Sequence, residues 1–418
     1  MKSPRLKAIV IIALLASGFL QVVSNSLFSG MSMYAGTDEP AHLGTGLELL
    51  QNGTYGYERM HPPLARAAAA LPLWLFSERT MPPSDCAGRF TAWRADIKAN
   101  HTSGAFLHYC LATMDYGFMD LKAAKAGRIM MWPFYLLSVF GVFQLARCLG
   151  LDTPVAAFSA AIFSTVPIII WLGARVMTDL PFICLAIWVL VALQALFNRA
   201  SITKAIGLGL AGGLAALAKF SALCFMPPIC LAWAILSLRR GAYPIALCGL
   251  ALVIATLVML TGWQYDLSAL REGIETVALK AEKGHAGELF PNGRFYMGEW
   301  YFYPALLLIR TPTPFLLLCG IGAVAMMRHN RGAAIKIITA CCLIIAIVLP
   351  ARININIHHI ALIYGPLAIL AGYAAHILWQ SKTGIIALTV MLAVLAFPRT
   401  SLLSTVNSPA AALYGMIK

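Results

Sequence analysis

The chain has 418 residues, of which 60% are hydrophobic and only 11% charged, and its formal net charge is +14 at pH 7. Soluble domains carry about 25% charged residues, so this composition excludes an ordinary soluble globular protein. The positive charge does not indicate nucleic-acid binding, because many basic residues flank apolar runs and no basic stripe with interleaved aromatic residues lies on a soluble domain.

Apolar runs of about 20 residues recur along the chain, which is the length that crosses the hydrocarbon core of a bilayer as a helix. Lipid offers the backbone no hydrogen bonds, and continuous rather than alternating apolar runs favour helices over a barrel. We therefore predict an all-α polytopic membrane protein with about 11 transmembrane spans. These lie near residues 8–28, 127–147, 153–173, 180–198, 203–218, 221–238, 243–263, 303–326, 333–350, 357–379 and 383–398.

The N-terminus combines a basic segment, Met1 to Lys7, with an apolar run from about Ala8 to Phe28. This pattern is typical of either a cleaved signal peptide or a retained membrane anchor. Because the run is long and no distinct cleavage site follows it, we favour a retained anchor with a cytoplasmic N-terminus.

Two long polar segments, 29–126 and 264–302, interrupt the spans. We predict one transmembrane module over residues 1–398, with these segments as its first and second outer loops, followed by a short outer tail at 399–418. With the N-terminus in the cytoplasm, every cytoplasmic segment of this layout carries Lys or Arg, as the positive-inside rule requires. Both long loops then face the non-cytoplasmic side.

The first outer loop contains two short apolar stretches, Leu64 to Phe76 and Phe106 to Met114. Both are too short to span a bilayer, so we predict helices that lie in the membrane interface, with Trp74 and Trp93 as anchors.

Ten cysteines are scattered along the chain, most of them inside apolar spans, and none shows the spacing of a metal site. Cys86 and Cys110 both fall in the first outer loop. If that loop faces an oxidising compartment they can form a disulfide, and two free thiols are the alternative.

Ionisable residues at membrane depth are costly and mark functional sites. In the predicted layout the unusual ones collect at the outer face. A carboxylate there can take a proton from an acceptor hydroxyl, and cations can stabilise a departing phosphate. The candidate residues are Asp38, Glu39, His42, His61, Arg175, Asp179, Lys219, Arg310, Arg352, His358 and His359.

Each candidate has an ordinary structural explanation when it is taken singly. An Asp-Glu pair after a span is often a helix cap, Asp179 can cap the fourth span, and Lys219 can extend to the interface. Adjacent histidines such as His358 and His359 point about 100° apart on a helix, which disfavours a shared metal. The function is therefore inferred from the set, not from any one member.

The order of several motifs resembles one known family. The motifs that carry this resemblance are Asp38-Glu-Pro-Ala-His-Leu-Gly44, Asn52-Gly-Thr-Tyr55, His61-Pro-Pro-Leu-Ala-Arg66, Leu71-Pro72, Ala126-Gly-Arg128, Met177-Thr-Asp-Leu-Pro181, Gly213 to Ala222, Tyr303 to Pro312 and Asn354 to Gly372. By these motifs the chain is similar to the bacterial relatives of dolichyl-phosphate-mannose protein mannosyltransferases, in the GT-C superfamily, which also includes the lipid A aminoarabinose transferases.

The resemblance implies a GT-C-like helical bundle that moves a sugar, hexosyl or pentosyl, from a polyprenyl-phosphate donor to a protein, lipid or glycan acceptor, with inversion. It implies a bacterial inner membrane location with the active site facing the periplasm or exterior. By likeness, Asp38 is the general base, Glu39 supports it, and Asp179 is a second acidic residue on the acceptor side. No cofactor is expected, and a role for a divalent metal is left open.

The resemblance also assigns the donor phosphate. His61 stands where many relatives have a lysine before Pro-Pro, Lys219 matches a recurrent lysine, and Arg310 replaces a usual lysine before Thr-Pro. Arg352, His358 and His359 complete the predicted phosphate-binding set. The substrate pocket is predicted to include His42 and Arg175.

Three positions depart from the family pattern. His358 stands at a usual arginine and Leu362 at a usual proline, and a histidine, largely neutral at pH 7, cannot form the bidentate arginine clamp on phosphate. We hypothesise that Arg352 compensates. Met60 stands where aminoarabinose transferases have a glutamate, so a metal site of that kind is not supported.

Two other functions compete with the transferase. A transporter places ionisable groups and broken helices at the bilayer midplane, often within internal repeats, whereas here the charges collect at one face and no repeat is visible. An inactive relative that only binds a lipid-linked sugar is the second alternative, favoured if His358 breaks the phosphate clamp. Convergence of Asp38, Asp179 and Lys219 in one outward cavity would favour the enzyme.

Overall fold

The computed structural model describes residues 4–29, 38–54, 59–78, 121–238, 243–286, 299–354 and 356–396. These residues are almost entirely helical. The helices are α1 (Pro4–Phe28), α2 (Asp38–Asn52), α3 (Pro63–Phe76), α4 (Leu121–Ile129), α5 (Trp132–Cys148), α6 (Thr153–Ser164), α7 (Pro167–Gly173), α8 (Asp179–Asn198), α9 (Ile202–Ala218), α10 (Ser221–Ser237), α11 (Tyr243–Gly262), α12 (Leu267–Lys283), α13 (Phe302–Arg310), α14 (Thr313–His329), α15 (Arg331–Val348), a 3₁₀ helix (Ile357–Ile363), α16 (Tyr364–Leu378) and α17 (Lys382–Ala396).

Two two-residue strands add a minor feature to this helical fold. β1 (His285–Ala286) and β2 (Ile353–Asn354) pair in parallel, with His285 opposite Ile353. The Tyr303 hydroxyl donates a hydrogen bond of 2.6 Å to the Ile353 carbonyl oxygen. The second outer loop is therefore attached to the segment that leads into the 3₁₀ helix.

The prediction of an all-α membrane protein is confirmed. Within the described ranges, six helical stretches are long and apolar enough to cross a bilayer, and the number rises to eight if each of two bent pairs is one span. Three further predicted spans, at 203–218, 221–238 and 383–398, coincide with α9, α10 and α17, which have 17, 17 and 15 residues. At about 1.5 Å rise per residue these helices fall somewhat short of the roughly 30 Å hydrocarbon core.

Two predicted spans are bent. The span at 153–173 turns by 66° between α6 and α7, and the span at 303–326 turns by 108° between α13 and α14. In each case a proline opens the following segment: Pro167 begins α7, and Pro312 precedes α14. The residue before a proline is disfavoured in helical geometry, so the helix ends there although the hydropathy continues.

The core of the bundle is built around α8 and the stretch formed by the 3₁₀ helix and α16. In the most apolar part of these two stretches, 72% and 78% of the residues are buried. Helix α8 packs against α5, α9 and α10, while α16 packs against α6 and α14. Small residues allow close approach between neighbouring helices. A Cβ on Gly213 of α9 would lie 2.5 Å from the Val258 Cβ of α11.

The two outer loops meet outside this core. Arg59 of the first loop forms an ion pair with Glu272 of α12 in the second. Phe220 stacks on Trp263 with ring centroids 5.7 Å apart. The loops therefore cover the helix ends next to Lys219.

The predictions for the first outer loop and the tail have different outcomes. Helix α3 covers the predicted Leu64–Phe76 helix, and its interfacial position stays a prediction. The stretch at 106–114, Trp93, the Cys86–Cys110 pair and the tail at 399–418 lie outside the described residues.

Candidate active site

The start of α2 is fastened to the bundle by a fully buried ion pair. The side chains of Glu39 and Arg128 are both 0% exposed. The Arg128 Nε donates to Glu39 Oε1 at 2.8 Å and its Nη2 donates to Oε2 at 2.6 Å, which is the bidentate geometry that a guanidinium and a carboxylate favour. The Val176 backbone N–H also donates to Glu39 Oε1 at 2.9 Å. Glu39 thus joins α2, α4 and the α7–α8 connection.

Arg175 lies beside this pair. Its Nη1 donates to the Ser29 hydroxyl at 2.7 Å and to its neighbour's carbonyl oxygen, that of Ala174, at 2.9 Å. Burial and then the nearby charge of Arg128 lower the pKa of Arg175, and Glu39 acts in the opposite direction. Arg175, predicted to line the substrate pocket, therefore contacts the end of α1.

A second buried ion pair joins Asp179, the first residue of α8, to Lys219, which connects α9 to α10. The Lys219 Nζ lies 2.5 Å from Asp179 Oδ1, with the two side chains 11% and 3% exposed. Asp179 Oδ2 is buried and has no hydrogen-bond partner among the described residues. A buried carboxylate oxygen normally has one, so the hydrogen-bonding capacity of this oxygen is unused within the described residues.

Two histidines from distant segments complete the surroundings of this pair. The 3₁₀ helix that carries His358 packs against α8, which begins at Asp179, and α3, which follows His61, packs against α9, which ends just before Lys219. His358 belongs to the 3₁₀ helix and lies over the ring of Trp171 on α7, with centroids 6.3 Å apart. The His358 and His359 rings lie 4.4 Å apart. The structure thus brings together Asp179, Lys219, His61 and His358 from four parts of the chain.

His61 also belongs to a cluster formed by α2 and α3. The Arg66 Nη2 lies 3.1 Å from His61 Nδ1, and Arg66 Nε donates to His42 Nδ1 over a longer 3.4 Å. The two imidazole rings meet edge to face with centroids 5.0 Å apart. Arg66 and His42 are both buried. His42, predicted as a substrate-pocket residue, is therefore connected through His61 to the Asp179 group.

An apolar groove lies near Lys219, which is not itself among its lining residues. It lies between α8, α9, α10 and α11 and has a volume of about 530 Å³. Ala216 and Ala222, on either side of Lys219 in the chain, line one end, and Leu238 and Ile245 line the other. Leu231 and Leu252 on its walls are more than half exposed, so the groove opens laterally.

For three predicted residues the structure describes no contact with Asp179 or Lys219. Arg310 ends α13 and Arg352 precedes β2, both with exposed side chains. Neither occurs among the described interactions of Asp179 and Lys219. Asp38 begins α2, one helical turn before His42, and its side chain lies outside the described part of the structure.

Two arginines that sequence reasoning did not assign to the site are structurally central. In the sequence, Arg128 and Arg66 stand out only as members of family-like motifs. Arginines are almost never fully buried unless they are paired. Burial cannot be read from these two positions, because Arg128 follows a long polar segment and Arg66 lies in an alanine-rich helix.

No three His, Cys, Asp or Glu side chains lie close enough to hold a metal ion within the described ranges. The expectation that no cofactor is used stays a prediction.

Comparison with known proteins gives one family match. The model of the dolichyl-phosphate-mannose-protein mannosyltransferase family matches residues 117–263. This region runs from just before α4 to the end of α11 and includes Arg128, Asp179 and Lys219. None of the curated proteins matches the chain.

Solved structures match over nearly the whole chain. ArnT from Cupriavidus metallidurans bound to undecaprenyl phosphate has a TM-score of 0.63 and 13% identity, and the match covers 94% of this chain and 64% of ArnT. The oligosaccharyltransferase of Archaeoglobus fulgidus in the apo form has a TM-score of 0.51 and 11% identity, with 97% and 55% covered. The archaeal oligosaccharyltransferase AglB from Archaeoglobus fulgidus, in complex with an inhibitory peptide and a dolichol-phosphate, has a TM-score of 0.50 and 10% identity, with 97% and 54% covered.

The chain thus spans less than two thirds of the length of each of these structures. At 10–13% identity the likeness shows the fold. The fold is that of a multi-pass helical membrane protein, and the family match over the central helices agrees with the resemblance seen in the sequence.

Proposed function

We propose that this chain is a membrane glycosyltransferase that takes a sugar from a polyprenyl-phosphate donor and transfers it, with inversion, to a hydroxyl of a protein, lipid or glycan acceptor. One observation carries the proposal. The buried Asp179–Lys219 pair has an unpartnered carboxylate oxygen, lies beside His61 and His358, and adjoins an apolar groove that opens laterally.

The groove suits the apolar part of such a donor. Its walls are almost entirely aliphatic, and it reaches the helix ends that Lys219 connects. An ammonium has three donors, and one of them is directed at Asp179. The others can bind a phosphate at the end of the groove, where the low dielectric strengthens the interaction. His61 and His358 add imidazoles on the same side, and Arg310, Arg352 and His359 remain candidates for a more peripheral phosphate contact.

The chemistry follows from this arrangement. Asp38, the first residue of α2, takes the proton of the acceptor hydroxyl. The hydroxyl oxygen forms a bond to the anomeric carbon while the bond from that carbon to the lipid phosphate oxygen breaks. The polyprenyl phosphate leaves with the electron pair, and Lys219 stabilises its charge. Asp179 orients Lys219 and offers its second oxygen to the acceptor.

Glu39 supports this step from a distance. Its carboxylate is occupied by Arg128 and by the Val176 N–H. We therefore propose that Glu39 holds the start of α2 in place, and does not itself exchange protons with substrate.

The alternative of a transporter is less well supported. Helix α8 begins at Asp179 and the following antiparallel helix α9 ends at Lys219, so this pair lies at one end of both helices. A transporter site is expected nearer the middle of the bilayer. By the distribution of basic residues, the end with Asp179 faces away from the cytoplasm, in a bacterium toward the periplasm or exterior.

The proposal is tested by mass spectrometry of glycolipids and glycoproteins from membranes that contain the wild-type chain, the Asp38→Asn variant or no chain. We expect a sugar-modified product with the wild type only, and a loss of about 10²–10⁴ in transfer rate for Asp38→Asn, the range of general-base catalysis. Asp152→Asn is the matched control, because Asp152 is an exposed residue before α6 whose side chain forms no cap hydrogen bond there. Identical products in all membranes would reject the enzyme, and full activity of Asp38→Asn would reject the base.

A further inference from the structure

Arg66, His42 and His61 form a cluster in which the proposed chemistry gives no role to Arg66 or His42. Helix α2 crosses α3 at Gly46, where a Cβ would lie 2.2 Å from the Arg66 carbonyl oxygen and 2.9 Å from the Ala70 Cβ. This close approach brings His42, one turn earlier on α2, and His61, just before α3, to the two sides of the Arg66 guanidinium.

The hydrogen-bond chemistry determines the state of both imidazoles. A guanidinium has only donors and keeps its charge at any physiological pH. The Nδ1 atoms that face Arg66 must therefore accept, which places the ring proton on Nε2 in both His42 and His61. Each ring then has its N–H donor on the side opposite Arg66.

His61 joins this cluster to the candidate site, because α3, which follows it, packs against α9, and Leu64 packs against the cluster of Leu217 and Phe220 on either side of Lys219. A neutral histidine alone offers a phosphate one donor and no positive charge. Arg66 is buried, 3% exposed, and its Nη2 lies 3.1 Å from His61 Nδ1, so its charge lies directly behind that donor. A guanidinium–imidazole pair of this kind combines an oriented N–H with a permanent positive charge.

We infer that Arg66 is a positioning residue for the phosphate of the donor: it holds His61 with Nε2–H directed toward the site and supplies the permanent charge that a neutral histidine lacks. The inference rests on the proposed function, since it concerns the same donor. It explains how a chain with histidine in place of lysine at position 61 still presents a cation to a phosphate.

The test separates phosphate recognition from folding. Purified protein in lipid nanodiscs is titrated with undecaprenyl phosphate and, separately, with undecaprenol, which has the same chain and no phosphate. We expect wild type to prefer the phosphate. Arg66→Met is expected to weaken phosphate binding at least about tenfold, as the loss of a charged hydrogen-bond system implies, and to leave undecaprenol binding unchanged. Arg271→Met is the control, because Arg271 is highly exposed on α12.

Two further variants address the mechanism. Arg66→Lys keeps the charge but cannot bridge two imidazoles with a planar fork, so we expect a loss intermediate between wild type and Arg66→Met. His61→Lys combined with Arg66→Met supplies a cation directly, and it should restore most of the phosphate preference. If Arg66→Met does not fold, the ratio of phosphate to undecaprenol binding by Arg66→Lys carries the test.

Equal losses for both lipids in a folded Arg66→Met protein, or no loss at all, would overturn the inference and leave Arg66 as a structural contact between α2 and α3. Phosphate binding by Arg66→Lys at the wild-type level would overturn it as well. Failure of the wild type itself to distinguish undecaprenyl phosphate from undecaprenol would overturn the proposed function and this inference together.

Discussion

Two buried ion pairs in the described part of the chain differ in how completely their charges are satisfied. Glu39 accepts two hydrogen bonds from Arg128 and a third from the Val176 N–H. Arg128 Nη1 also donates to the Ser26 and Ser29 carbonyl oxygens at 3.3 and 3.0 Å. Asp179 and Lys219 share a single contact and leave Asp179 Oδ2 open.

The difference separates a structural role from a chemical one. A buried charge that is fully paired rigidifies its surroundings, whereas a partly paired one is costly unless a ligand completes it. Both oxygens of Glu39 and all three guanidinium nitrogens of Arg128 already have hydrogen-bond partners within the protein. The Asp179–Lys219 pair has both an acceptor and further donors to offer. Both ion pairs are buried and charged, so neither property separates them. They differ in how many of their hydrogen-bonding atoms already have partners within the protein.

The larger effect on catalysis is expected at the Asp179–Lys219 pair. Asp179→Asn keeps the shape and an acceptor for Lys219 but removes the negative charge, so we expect sugar transfer to fall by about 10²–10³. The transfer rate and the unfolding midpoint are measured on the same purified preparation. A variant that transfers sugar normally would show that the unpartnered oxygen has no chemical role.

Arg128→Met is expected to act mainly on stability. It leaves Glu39 ionised in a dry environment and deprives the acceptor groups around it of their donor, which costs about 3–5 kcal/mol. The yield of folded protein in membranes and the thermal midpoint in nanodiscs measure this loss. Should Arg128→Met remain as stable as wild type but inactive, the pair would belong to the catalytic group after all.

Replacing both partners of each ion pair tests how the two pairs differ in their contribution to stability. Asp179→Leu with Lys219→Met removes one hydrogen bond and two buried charges, so stability should stay within about 1 kcal/mol or rise. Glu39→Leu with Arg128→Met still leaves the Val176 N–H and the Ser26 carbonyl without partners, at about 1–3 kcal/mol each. Thermal midpoints of the two double variants, compared side by side, should therefore differ in sign or clearly in size.

A smaller effect is expected at Gly46, which sets the distance between α2 and α3. A methyl group there would overlap the Arg66 backbone, so Gly46→Ala should cost about 1–3 kcal/mol as the helices separate. Gly249→Ala on α11 is the control, since a Cβ at that position meets nothing within 4 Å. Equal midpoints for the two variants would argue against close α2–α3 packing.

The positions of the apolar helices follow directly from the sequence, because about 20 consecutive apolar residues have few alternatives in lipid. The sharp turn before Thr313 was not predicted, although Thr311-Pro-Thr-Pro314 contains its cause. A hydropathy average is insensitive to a missing backbone N–H. The turn matters for Arg310, which ends a short helix and does not lie within a continuous span.

The site was predictable in part. Asp179, Lys219, His61 and His358 lie near one another in the structure, whereas their roles and their position at the outer face stay predictions. No local sequence pattern indicates which residue a buried charged side chain will pair with. Glu39 pairs with Arg128, which is 89 residues away in the chain, and only the packing of α2 on α4 brings them into contact.

The lateral opening of the groove between α8 and α11 has a consequence for how activity should be measured. A donor that arrives through this opening diffuses in two dimensions within the leaflet and never passes through bulk water. Its effective concentration is then its mole fraction among the lipids. Diluting vesicles with buffer should leave the rate per protein unchanged, whereas adding inert phospholipid at constant donor should slow it.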